Sequence, residues 1–249
     1  NTRQGLANHP EVLKLLAQRN EGIAKFWLTE RPNISATNRV LSGKRVLIVD
    51  AEDTFTAMIA HQLTALGCET YVYRFDQAYS FDDNYDLVVM GPGPGDPRNK
   101  KDAKVAKIYH AIEQLLARGQ AFLAVCLSHQ VLSATLGLPL IRRNDPNQGV
   151  QKQIDLFGNK ERVGFYNTFA AFSSHGEHLL GNGQGAAQLS YDPASGEVHA
   201  IRGHGFCGVQ FHPESILTMD GVRIFEEILV QLCGDMQASQ PALNLVKVA

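Results

Sequence analysis

Residues 121–137 read AFLAVCLSHQVLSATLG. The first six form a short apolar run of strand length, and from Leu127 the pattern turns helical until Gly137 and Pro139 stop it. A strand that runs straight into a helix is the half-unit of an alternating β/α chain, and the residue at the junction is Cys126. The first N–H groups of the helix face that junction, an arrangement that stabilises anions. It is the layout of a nucleophile elbow, known best with serine in the GxSxG form, which needs small residues two positions either side of the nucleophile. Ala124 and Ser128 meet that need. Taken alone, the stretch fits a buried strand-end cysteine at least as well.

Upstream, Lys44–Asp50 (KRVLIVD) is a continuous apolar run ending in a carboxylate, the pattern of a parallel strand buried on both faces. Thr54–Leu66 reads as the next helix, with Thr54 capping its start and Gly67 ending it. Glu69–Phe75 and Tyr85–Met90 read as strands, and Asp102–Arg118 as a helix closed by Gly119. This alternation predicts an α/β fold with a doubly wound, mostly parallel sheet, whose ligands bind beyond the carboxyl ends of the strands. Cys126 and the loop from Gly91 both fall there. After Leu140 the texture changes to short strands and turns. Asp192–Gly196 joins Ala186–Tyr191 to Glu197–Arg202, and Gly203–Gly205 leads into Phe206–Phe211, a more antiparallel edge. A last helix spans Asp220–Leu232.

The chain opens on Asn1, and His9–Thr29 spaces Val12, Leu13, Leu16, Ile23, Phe26 and Trp27 at helical intervals. That apolar face packs either on the chain's own core or on an upstream synthase. Glu30–Ser42 is polar, lacks periodicity and reads as a linker. The expected organisation is residues 1–43 as helical segment and linker, 44–233 as the functional domain and 234–249 as a tail.

Bulk properties narrow the function. Of 249 residues 44% are hydrophobic, enough for one substantial core, and a formal net charge of -2 provides no field for nucleic acid or an anionic membrane. Cys68, Cys126, Cys207 and Cys233 are scattered, with no CxxC and no zinc-ligand spacing. A reducing cytoplasm is the simplest reading. No apolar run approaches the roughly 20 residues a membrane helix needs.

Two further segments give Cys126 a chemical context. Val209–Ser215 (VQFHPES) reads as a strand end on which alternation places His212 and Glu214 on one side, with Pro213 keeping His212 extended. A carboxylate beside a histidine fixes its tautomer and supports its positive charge. Gly91–Pro97 (GPGPGDP) cannot be a phosphate loop, because Pro92 and Pro94 lack N–H groups and no GK[ST] follows. The prolines instead stiffen a loop that leaves an isolated donor at Gly93, suited to one oxygen.

In this order, GPGPGDP, AVCLSHQ and VQFHPES closely resemble the three motifs of class I glutamine amidotransferases, over about Lys44–Leu232. The resemblance implies a flavodoxin-like sheet and a glutaminase that needs no cofactor of its own. It implies Cys126 as nucleophile, His212 as base and acid, Glu214 as its orienter, and the N–H groups of Gly93 and Leu127 as oxyanion hole. Gln130, Asn167, Thr168 and Phe169 match positions that hold glutamine. The motifs look most like glutaminases of chorismate-using synthases, the anthranilate synthase group. Ala124 and Ser128 replace the usual glycines, Tyr166-Asn167-Thr168-Phe169 replaces Tyr-His-Ser-Leu, and Asn147–Gln151 replaces an HGK-type segment. These departures and the upstream helix are similar to the amidotransferase domain of phenazine-pathway synthases that make 2-amino-2-desoxyisochorismate. Such a synthase, fused in the same polypeptide, would hold chorismate and magnesium and could form a homodimer. Glutaminases of anthranilate or aminodeoxychorismate synthase share most of the pattern. Another cysteine hydrolase and an inactive regulatory subunit are the remaining readings.

The other candidates read as structural. His129 is a hydrogen-bonding helix residue, His175 and His178 are loop residues, and His199 and His204 are exposed or near an interface. Cys68, Cys207 and Cys233 are small core residues.

Overall fold

The computed structural model describes residues 38–239, apart from 83 and 182–184, together with residues 10, 11 and 14. Most of the amphipathic segment His9–Thr29, and the tail from residue 240, lie outside the described residues. Within the stretch that reads as a linker, Asn38–Leu41 forms a helical turn, α1, because Leu41 enters the core.

The alternating part follows the sequence pattern to within about two residues: β1 (Arg45–Asp50), α2 (Thr56–Ala65), β2 (Glu69–Arg74), β3 (Leu87–Met90), α3 (Ala103–Arg118), β4 (Phe122–Val125) and α4 (Leu127–Thr135). Short strands follow as β5 (Leu140–Arg142), β6 (Val150–Leu156), β7 (Asn159–Phe165), β8 (Phe169–Ala171), β9 (Glu177–Leu179), β10 (Ala186–Tyr191), β11 (Val198–Gly203) and β12 (Phe206–Val209), before the closing helix α5 (Gly221–Ser239). The main sheet runs β2-β1-β3-β4-β12-β11-β10-β9, parallel from β2 to β12 and antiparallel from there to β9. The mixed sheet with an antiparallel edge is therefore the fold the sequence predicts.

Strand alternation divides the core in two. Val46, Ile48, Val89 and Val125 join α2 and α5 on one face, while Leu47, Val49, Val88 and Ala124 join α3 and α4 on the other. Helix boundaries follow local chemistry. Asp102 caps α3 by accepting from the N–H groups of Lys104 and Val105, and Gly119 ends it in the left-handed conformation.

Three expectations need correction. Thr54 does not cap α2; the Asp50 carboxylate accepts from the N–H groups of Glu52 and Asp53 and from Thr56 Oγ1, and so turns the chain itself. The last strand stops at Val209, and α5 continues past Leu232 to Ser239. The separate β6–β7 hairpin has no strong sequence signal, since in VQKQIDL and NKERVGF the apolar residues Ile154, Leu156, Val163 and Phe165 are set among polar and charged ones, and β5 pairs with β8 across it as a second small antiparallel sheet.

Two features of this topology position the site. Chain order reverses between β1 and β3, so the loops leaving them diverge and open a crevice. β12 lies parallel to β4 with Val209 opposite Val125, which brings the sequence-distant histidine segment alongside Cys126. Gly208 permits that approach: a Cβ there would lie 2.8 Å from His129 Nδ1 and 3.0 Å from Leu132 Cδ2 on α4. Replacing Gly208 with alanine should therefore push α4 off the sheet at a cost of about 1–3 kcal/mol. Urea unfolding would show this as a lower midpoint at unchanged slope, and an unchanged midpoint would contradict the packing described.

Candidate active site

Cys126 stands between β4 and α4 with φ 51° and ψ -103°, a conformation that costs an L-residue roughly 1–3 kcal/mol. Its surroundings enforce it. The Cys126 N–H donates to Val209 O at 2.9 Å, its carbonyl accepts from the Gln130 N–H, and Ser128 Oγ donates to Gly91 O at 2.6 Å. Ser128 thus does more than fit in place of glycine, because it ties the elbow to the GPGPGDP loop. That loop lies hard against the end of β1, where a Cβ on Gly93 would come within 2.2 Å of Ala51 O. Only glycine fits there. Leu127 is the first residue of α4, so its N–H has no acceptor within the helix.

His212 and Glu214 meet, by a different route from the one alternation predicts. After β12 the chain makes a turn closed by Ser215 N–H to His212 O at 3.1 Å, with Pro213 in its second position. The turn brings His212 Nδ1 to 2.6 Å from Glu214 Oε1, both side chains being buried. The His212 backbone is held on both sides, its N–H donating to Gly164 O and its carbonyl accepting from Thr218 Oγ1. Phe55 and Tyr166 enclose the imidazole at centroid distances of 4.9 and 5.1 Å, and the Tyr166 hydroxyl is anchored on Ser215 Oγ. His212 Nε2 has no hydrogen-bond partner, which leaves it available to a reacting group. Burial alone would lower the His212 pKa, but the Cys126 sulfur and the Glu214 carboxylate outweigh it and hold the ring well above its ordinary value.

Cys126, His212, Gly93, Gln130 and Asn167–Phe169 line one cleft of about 450 Å³, together with Glu52, Asp53 and Phe55 from the loop after β1. Of the site residues singled out in the sequence, Glu214 and Leu127 do not line the cleft: both are buried, Glu214 behind His212 and Leu127 next to Cys126 at the start of α4. Asn167 is almost wholly buried, and its amide is engaged internally, donating to Phe169 O and accepting from Asn147 Nδ2. Both N–H groups of the Gln130 amide are also engaged, with Phe169 O at 2.7 Å and Gln210 Oε1 at 3.0 Å, so only its Oε1 remains for a ligand. Arg98 links the glycine loop to this segment by lying over the Phe169 ring.

Sequence reasoning missed Phe55, the ring role of Tyr166 and Gln210. Gln210 is two residues before His212 in a stretch read as a strand, so the alternation that paired His212 with Glu214 would also have placed Gln210 on that side. His199 departs from expectation: it is 6% exposed, packed against Phe165 beneath the β6–β7 hairpin. His129 is fully buried and its pKa is pushed down to about 3, mainly by desolvation, so it stays neutral. His178 Nε2 meets Leu136 O at 2.6 Å, a structural contact. Cys68, Cys207 and Cys233 are buried and free, and burial pushes the thiols of Cys68 and Cys207 up to about 12. Among the described residues no group of three or more His, Cys, Asp or Glu could hold a metal ion, and no helix is long and apolar enough to cross a membrane.

A thiol on an elbow, beside a histidine backed by a carboxylate on a doubly wound sheet, is an arrangement that can support nucleophilic acyl transfer. The family model "Glutamine amidotransferase class-I" matches residues 47–232, and the chain belongs to that family of enzymes. The chain is 54% identical over 222 residues to "Anthranilate synthase, phenazine specific" of Pseudomonas chlororaphis, a match covering 89% of the chain and 34% of that relative. It thus spans about a third of the relative's length. It is 33% identical over 200 residues to anthranilate synthase component 2 of Mycobacterium tuberculosis (strain CDC 1551 / Oshkosh), covering 76% of the chain and 83% of the relative. A solved glutamine amidotransferase from Thermotoga maritima shares the fold, with a TM-score of 0.55 at 16% identity over 78% of this chain and 96% of that one.

The raised titration of His212 rests on the Cys126 sulfur and the Glu214 carboxylate. In Cys126→Ala the stronger of them is gone, so the imidazolium should lose its proton at lower pH than in the wild type. Ring-nitrogen NMR of His212 would read the shift, and coincident titration curves would contradict the pairing.

Proposed function

We propose that the chain is the glutaminase portion of a chorismate-using synthase of the phenazine-specific kind, hydrolysing glutamine and passing ammonia to a synthase domain of the same polypeptide. The observation that carries this reading is one cleft lined by both Cys126 and His212, with Glu214 paired to the ring from behind, in a chain 54% identical to a phenazine-specific synthase. The cleft also exceeds the volume of one amino acid, which leaves space for glutamine.

In this mechanism the Cys126 thiolate attacks the side-chain amide carbon of glutamine, and the Gly93 and Leu127 N–H groups take the charge developing on oxygen. Protonated His212 gives its proton to the departing nitrogen, and ammonia leaves. The ring, now neutral, removes a proton from water, which attacks the thioester. Collapse releases glutamate and returns the thiolate beside a protonated His212. Glu214 fixes the ring tautomer and supports its charge through Nδ1. Gln130 Oε1 and the backbone of Thr168 and Phe169 hold the amino-acid end of the substrate, and Asn167 fixes that segment from behind.

Ammonia released into water would be protonated and lost as a nucleophile, so a shielded partner follows from the chemistry. That partner would hold chorismate and magnesium and form 2-amino-2-desoxyisochorismate, in the cytoplasm, where four free thiols are at ease. The likeness to anthranilate synthase component 2 supports a second acceptor outcome, anthranilate.

Purified chain should release glutamate from glutamine, faster when a chorismate-binding synthase domain is added. Cys126→Ala should lower the rate by at least about 1000-fold, since a covalent route loses its nucleophile. Equal rates in the variant would rule out this mechanism, and the amine product formed with the synthase distinguishes the two acceptors.

A further inference from the structure

A side chain from the VQFHPES stretch reaches the sulfur of Cys126. Gln210 is fully buried, and its Nε2 lies 3.7 Å from Cys126 Sγ, within hydrogen-bond range for sulfur. The direction of its amide is set by a chain of partners. Phe169 O can only accept, so the Gln130 group facing it must be the NH2; that NH2 also donates to Gln210, whose facing atom must be Oε1. The NH2 of Gln210 is thereby turned to the sulfur. The backbone is fixed too, by Gln210 N–H to His199 O at 2.8 Å.

We propose that Gln210 is a positioning residue of the reaction, donating an N–H to the Cys126 thiolate in an orientation that Gln130 and Phe169 set from the substrate side of the cleft. This deepens the glutaminase reading and rests on it for the identity of the substrate. The donor favours the anionic sulfur both before attack and when the thiolate leaves the thioester. It also couples the nucleophile to the segment that holds glutamine: displacement of Phe169 frees the Gln130 amide, and with it the orientation of Gln210. A neutral donor suits this place because a cation would compete with His212 for the thiolate.

The test is alkylation of Cys126 by iodoacetamide across pH, which needs no glutamine and so is independent of whether the chain releases glutamate. Gln210→Met keeps the shape and removes both hydrogen-bonding ends. Gln210→Glu keeps an acceptor for Gln130 and replaces the donor with an acid. In Gln210→Met the acid limb of alkylation should move to higher pH and the rate at neutral pH fall about tenfold. Gln210→Glu should be at least as slow at neutral pH, and in both variants kcat for glutamine should fall by a larger factor than KM rises. Folded variants that keep the wild-type alkylation profile and kcat would overturn the proposal. If neither variant folds, the side-chain amide resonances of Gln210 in the wild type decide it. They should shift with pH in step with Cys126 and lose that response in Cys126→Ala; a response unchanged by the substitution would overturn the proposal equally.

Discussion

The parallel pairing of β4 with β12 is the contact on which the site depends. Four residues on each strand are in register, from Phe122 opposite Phe206 to Val125 opposite Val209, and the Cys126 N–H extends the ladder to Val209 O. Because the strands end together, the chain leaving β4 as an elbow and the chain leaving β12 as a turn emerge side by side. The residues they carry are more than eighty positions apart in sequence, and no local interaction could bring them together. Close approach at Gly208 sets how near α4 can lie, so the backbone that packs the helix also sets the place of Cys126.

Around this pairing the site is held by short polar ties between separate loops. Ser128 fastens the glycine loop to the elbow, Arg98 joins that loop to Phe169, and Gln130 joins Phe169 to Gln210. Buried Glu197 is paired with Arg143 and lies near Asn167, so Asn167–Phe169 rests on a charged support. Such ties allow a strained backbone at Cys126 to persist, since no single one can relax without disturbing the others.

How much of this was legible depended on whether the signal was local. Short buried strands and the helices between them follow from apolar runs and stop signals, and so the order and limits of the alternating part were readable. The elbow was readable because strand and helix patterns meet at one residue. His212 and Glu214 were correctly paired for an incomplete reason, since a proline turn, and not strand alternation, joins them. The β6–β7 hairpin was hidden because its few apolar residues are scattered among charged and polar ones, Glu161 being itself buried. His199 looked exposed because nothing local shows that a hairpin will cover β11. The aromatic enclosure of His212 joins Phe55, Tyr166 and the turn after β12, three distant stretches that meet only in the folded chain.

A covalent intermediate on Cys126 is the central claim, and it can be trapped. Acid quenching of the chain during turnover of glutamine, followed by digestion and mass spectrometry, should find a γ-glutamyl group on the peptide that contains Cys126. No such group should appear on the peptides with Cys68, Cys207 or Cys233. An adduct on one of those thiols, or turnover without any adduct under conditions that preserve thioesters, would contradict the account.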